Sequence, residues 1–141
     1  MAPVPLTIED IEIGAAERRE FEFSEQVVTA FGDLIDDHAP VHFDPQFAEA
    51  QGFGGTIVHG YLLASVFSGI LGQRLPGPNT VINSLSLKYH HAVPVGETVT
   101  FEAAVEQVSL AVGAVVLRLT ATRLDGSVAV SGRTTCSFRT R

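Results

Sequence analysis

This sequence has little of several things that would place it in a large functional class. It has one cysteine, Cys136, so no intrachain disulfide can form, and a reducing compartment such as the cytoplasm is expected. Cations are few: 9 Lys and Arg stand against 16 Asp and Glu, for a net charge of −7. Nucleic acids and anionic membranes both need a basic face, so neither is expected as a partner. Long apolar runs are missing. The longest, "YLLASVFSGIL", falls short of the roughly 20 residues that cross a bilayer. The N-terminal "MAPVPLTIEDIEIGAAERRE" has no basic segment leading into an apolar core, so no signal peptide is expected. Repeats and low-complexity linkers are also lacking.

What remains is a chain of 141 residues, 45% of them hydrophobic, which reads as one domain over residues 1–141 with its own core. Its first half has helical period. "RREFEFS" alternates like a short strand, and Ser24 can cap a helix on which Val27, Val28, Phe31, Leu34 and Ile35 share a face. That helix is expected to run to Asp36 and to be ended by Pro40. "DPQFAEAQ" reads as a second short helix, capped by Asp44 with Pro45 in its first position. From about His59 to Leu75 the chain is apolar almost all round, which predicts a buried central helix whose small residues let a sheet approach.

The second half has the period of strands. Val81, Asn83, Leu85, Leu87 and Tyr89 are expected on one strand face, and three further Val- and Thr-rich segments follow. "PVG" and Asp125–Gly126 supply turns. The expected class is α+β: an antiparallel sheet wrapped around a central helix, with a helical segment overhanging before it.

The densest chemistry is "DDHAPVHFDP", Asp36 to Pro45, with three acids, two histidines and two prolines. Asp37 and His42 are five residues apart, which in a continuous helix is a rotation of about 140°. A break at Pro40 removes that constraint and lets both side chains converge. A neutral imidazole can then take a proton from water while the carboxylate holds that water or returns the proton. Gly60, at the start of the buried helix, offers free N–H groups to a developing oxyanion. Plainer readings stand beside these. The acids can be caps and turn formers, His42 and His59 structural histidines, and Gly60 a packing glycine. Asp37, His38, His42 and Asp44 match no established metal-ligand spacing, so no metal is expected. His90 and His91, on a predicted strand, would face opposite ways, and Ser65 and Ser68 read as packing residues.

"DDHAPVHFDPQFA" followed by "GFGGTIVHGYLLASVFSGILGQRLPG" resembles the MaoC-like hot-dog family, in particular its short (R)-specific enoyl-CoA hydratases. The motif is Asp-x-Asn-Pro-apolar-His, then Asp-Pro, then a His-Gly that opens the central helix. Asp37, Pro40, Val41, His42, Asp44, Pro45, His59 and Gly60 match it, and "SLSLKYHHAVPVGETVTFEAAV" resembles the strand region that follows. The resemblance runs from about Phe21 to Val108. It implies a hot-dog fold with Asp37 and His42 as the catalytic pair, and Gly60 with His59 in the oxyanion and substrate-binding group. It implies a coenzyme A thioester as substrate, no cofactor, a homodimer with the site at the interface, and water added syn to a trans-2-enoyl-CoA. Such a hydratase would feed polyester synthesis or β-oxidation.

Two positions depart from the motif. Its Asn is Ala39 here, with His38 a candidate substitute in a supporting role, and Thr56 stands where a Pro is usual. The alternatives are a 3-hydroxyacyl thioester dehydratase acting on an acyl carrier protein, and a non-catalytic acyl-CoA-binding hot-dog protein. A basic patch near the tunnel would favour the carrier protein, and Arg74, Lys88 and Arg118 are its candidates.

Overall fold

The computed structural model describes residues 5–139, so the first four residues of the N-terminal stretch read for a signal peptide lie outside it. Five strands form one antiparallel sheet: β1 Ala16–Glu22, β2 Thr80–Tyr89, β3 Thr98–Ser109, β4 Ala114–Thr122 and β5 Val128–Phe138, in the spatial order β1-β3-β4-β5-β2. Between β1 and β2 come α1 Glu25–Ile35, a 3-10 turn Pro40–His42, the short α2 Pro45–Ala50 and the central α3 Gly60–Gln73. The α+β layout is as expected. Among the described residues no helix is long and apolar enough to cross a membrane.

The core lies between α3 and the sheet. Leu62, Leu63, Val66, Phe67, Ile70 and Leu71 recur at helical spacing and are all buried. They meet the alternate, inward residues of the sheet, among them Val99, Phe101, Val115, Leu117 and Leu119. The Phe67 and Phe101 rings pack edge to face at 5.1 Å. The expectation that α3 is buried on every side is corrected. Tyr61, Ser65, Ser68 and Gly72 are exposed, because a single sheet covers one side of a helix and the large residues take that side.

Local chemistry sets the caps. The Ser24 hydroxyl accepts from the Val27 N–H at 3.2 Å, and one Asp44 carboxylate oxygen accepts from the N–H groups of Gln46 and Phe47. Asp125 and Gly126 turn the chain between β4 and β5. Gly126 adopts φ +87°, and the Asp125 carboxylate accepts from the N–H and hydroxyl of Ser127.

Two expectations change. α1 stops at Ile35, where Asp36 turns left-handed (φ +57°), and Pro40 instead opens the 3-10 turn. Within α1 the expected apolar face is not wholly covered: Leu34 is 80% exposed. In β2 the register slips between Ile82 and Ser84, and the predicted apolar face is not buried: Val81, Leu85 and Tyr89 are exposed, while Leu87 packs on the core. β2 is an edge strand, and among the described residues no further strand pairs with its outer side.

Candidate active site

The left-handed turn at Asp36 starts the loop that carries the site. The Asp37 N–H returns to the Gly32 carbonyl at 2.9 Å, and one Asp37 carboxylate oxygen accepts from the Ala39 N–H at 3.2 Å. Gly32 makes this fold-back possible. A Cβ there would lie 2.9 Å from the Asp37 carbonyl oxygen and 2.8 Å from the Phe43 ring. The 3-10 turn then brings His42 round, and its Nδ1–H donates to the Ile57 carbonyl at 2.7 Å. A carbonyl can only accept, so the hydrogen of the neutral ring sits on Nδ1 and Nε2 is left as the acceptor. Burial holds the His42 pKa below that of an ordinary imidazole. The Ile57 hydrogen bond and Asp37 oppose that effect, and the neighbouring His59 adds to it. At neutral pH His42 is therefore a base.

Asp37, His42 and His59 form one cluster, each offering a ligand-type atom within 4.8 Å of the others. His59 is buried, and its Nε2–H donates to the Asp37 backbone carbonyl at 3.1 Å. Its Nδ1 has no partner among the described residues, which for a buried polar atom costs about 1–3 kcal/mol. Gly60, next in the chain, is the first residue of α3, and no side chain caps this helix end. First-turn N–H groups have no partner inside a helix and carry its positive end. The Gly60 carbonyl accepts from the Tyr89 hydroxyl at 2.7 Å, and a Cβ on Gly60 would lie 3.3 Å from the Tyr89 ring.

The other predicted residues sit elsewhere. His38 is exposed, bonded to Asp33 at 2.8 Å and near Asp36 at 3.5 Å, so its ring is engaged outside the cluster. Asp33 accordingly raises the His38 pKa. Ala39 contributes its backbone N–H. Asp36 and Asp44 act as turn and cap, the plainer of the two readings of these acids. His90 and His91 lie just past the end of β2, and His90 pairs with the Ser131 hydroxyl at 2.7 Å. Sequence reasoning missed Gly32, Tyr89 and the Ile57 carbonyl. A glycine inside an amphipathic helix was a readable signal for the first, and the carbonyl left none.

A cleft of about 290 Å³ opens beside His42, lined by Glu25, Val28, Thr29, Phe43, Pro45, Thr56 and Val95. Pro45, Thr56 and Val95 also line a larger groove of about 790 Å³ that contains His90, His91 and Arg123. The cluster carries donor types that suit a cation, but His42 Nδ1 and His59 Nε2 are already committed to carbonyls. What stays free is a carboxylate close to a neutral imidazole that keeps one unprotonated nitrogen, near an uncapped helix start. That set can hold a water, move its proton and meet a developing negative charge.

Known proteins share this arrangement of chain. Residues 8–123 match the family described as MaoC like domain. The chain is 40% identical over 130 residues to an (R)-specific enoyl-CoA hydratase of Aeromonas caviae, covering 90% of this chain and 95% of that protein. It is 34% identical over 127 residues to an (R)-specific enoyl-CoA hydratase of Rhodospirillum rubrum, covering 90% and 88%. In structure it is similar to the (R)-hydratase from A. caviae involved in PHA biosynthesis, with TM-score 0.88 and 36% identity over 93% of this chain and 99% of that one. The fold is the hot-dog fold expected from the sequence.

Proposed function

This chain belongs to the MaoC-like domain family, and from that membership and the cluster at Asp37 we infer that it is an (R)-specific enoyl-CoA hydratase. The observation that carries the chemistry is the convergence of the Asp37 carboxylate with the His42 ring, a ring whose Nδ1–H is committed to Ile57 and whose Nε2 is therefore unprotonated. As a hydro-lyase it adds water across the double bond of a trans-2-enoyl-CoA. Conjugation to the thioester makes C3 electrophilic and sends charge to the thioester oxygen. The water oxygen bonds to C3 as His42 and Asp37 take its proton, and the π pair of C2=C3 moves toward the carbonyl. N–H groups at Gly60 meet that charge. The proton then goes to C2 on the same face, so one water supplies both atoms and the pair ends as it began. No redox or metal step is needed.

The test follows crotonyl-CoA through loss of its enoyl-thioester absorbance, with chiral analysis of the product. Rapid loss giving (R)-3-hydroxybutyryl-CoA, unchanged after dialysis against a chelator, is expected. No loss with crotonyl-CoA or a longer enoyl-CoA would reject the reading.

The active species in this reading is a homodimer joined through β2. This strand is ten residues long and at the sheet edge, with Leu85 46% and Tyr89 51% exposed. An uncovered apolar edge of that length invites another strand. The same Tyr89 bonds Gly60, so pairing here would bring a second copy up to the site. A carrier-protein thioester is the second substrate reading. Lys88 and Arg118, with Arg133, line one groove of about 470 Å³, where both arginines are paired with Glu106 and Lys88 is the remaining cation, while Arg74 lies apart beside Glu17 at 3.9 Å. Comparing kcat/KM for matched enoyl-CoA and enoyl-carrier-protein substrates decides between them. The buried lone thiol of Cys136 fits a cytoplasmic enzyme.

A further inference from the structure

His59 is an odd choice for a purely structural position. It is 1% exposed, yet one of its ring nitrogens has no partner among the described residues. An apolar residue would fill the space without that penalty. Although it is the N-cap residue of α3, its side chain makes no capping bond. Instead it reaches back 22 residues and donates Nε2–H to the Asp37 carbonyl at 3.1 Å. Its flat face lies on the His42 ring, with centroids 3.9 Å apart and planes 27° apart. Phe31 at 5.2 Å and Phe43 at 5.7 Å close around it edge on.

We propose that His59 is a positioning residue for the hydration step, holding Asp37 by its backbone carbonyl and His42 by its ring face so that the two meet on one water. The inference rests on the hydratase reading. His42 has one in-plane tether, the Ile57 carbonyl, and about that bond alone the ring can still rotate. The stacked His59 removes that freedom by fixing the plane. Asp37 sits directly after a left-handed residue; its N–H is tied to Gly32 and its carboxylate to the Ala39 N–H, and the bond from His59 to its carbonyl adds the tie that reaches across to α3. Because His59 is bonded to Gly60 in sequence, acid, base and oxyanion donors share one anchor. A misplacement of about 1 Å among such groups is worth about 10²-fold in rate.

The groups around His42 give a second readout. Asp37 favours its proton, His59 disfavours it, Glu25 of α1 lines the same cleft, and His38 is occupied by Asp33 and Asp36. Replacing the His59 imidazole removes one of the influences that keep His42 unprotonated.

Two variants separate the ties. His59→Phe keeps a ring and loses the donor to Asp37. His59→Gln keeps a donor at similar reach and loses the stack. For folded protein, checked by circular dichroism, His59→Phe is expected to lower kcat about 10–100-fold with little change in KM, and His59→Gln to recover part of that loss. In both, the acid limb of kcat/KM moves to higher pH. A merely structural histidine would lower thermal stability and leave the pH profile of the folded fraction where it was. Wild-type kcat and an unmoved acid limb in folded His59→Phe overturn the proposal. Nuclear magnetic resonance titration of the His42 ring in wild type and both variants is independent of turnover. Displaced His42 ring-proton shifts in folded His59→Gln, where the stacked ring is gone, support the contact, and unchanged shifts overturn the proposal even if the hydratase reading itself has failed.

Discussion

Replacing Asp37 by Asn separates chemistry from structure at this site. One Asp37 carboxylate oxygen accepts from the Ala39 N–H at 3.2 Å, and an amide oxygen can keep that bond. The other oxygen becomes an NH₂ group, which donates where the carboxylate accepted and cannot carry a proton through a cycle. The turn therefore survives and proton handling is lost. General acid–base roles are worth about 10²–10⁴-fold, which at about 1.36 kcal/mol per decade is about 2.7–5.5 kcal/mol of barrier. Loss of crotonyl-CoA absorbance should fall by that factor, with a melting temperature within about 2 °C of wild type. Asp37→Ala should lose the same activity and also the turn bond, about 0.5–1.5 kcal/mol and so a melting temperature several degrees lower. If Asp37→Asn keeps more than about a tenth of wild-type kcat/KM, Asp37 is not the proton-handling group.

His42 acts as a base and burial lowers its pKa, so activity is lost only as pH falls through that lowered value. The acid limb of kcat/KM should sit below about pH 6.5, the ordinary imidazole value, and a limb above it would contradict the buried neutral ring. Gly60→Ala puts a methyl 3.3 Å from the Tyr89 ring and beside the helix amides. A kcat loss of about 10²-fold or more is expected in steady-state assays, the value of one oxyanion donor, and wild-type kcat would mean these amides do not meet the thioester oxygen. Leu85→Lys puts a charge on the exposed edge strand. Sedimentation should show dimer for wild type and mostly monomer for the variant, and a monomeric wild type would remove β2 as an interface.

Parts of the molecule whose cause is local were legible in the sequence. Ser24 and Asp44 cap because a short polar side chain reaches its own next N–H groups, and Asp125–Gly126 turns for a similar reason. The end of α1 was placed within one residue, but its cause was not legible because it is not local. Pro40 is the visible breaker, yet the helix stops at Ile35, where Gly32 gives room for the returning Asp37 carbonyl and His59 supplies its donor. The β2 face failed for a related reason: alternation predicts which residues share a side, and sheet order decides whether that side is covered. The spacing of Asp37 and His42 allowed them to meet, and the structure brings them together. What orients them is two backbone carbonyls, at Ile57 and at Asp37 itself, and every residue type has one. A histidine placed just before a helix-opening glycine was therefore visible as a residue of the site. Its grip on a carbonyl 22 residues upstream became readable only once the chain had folded back.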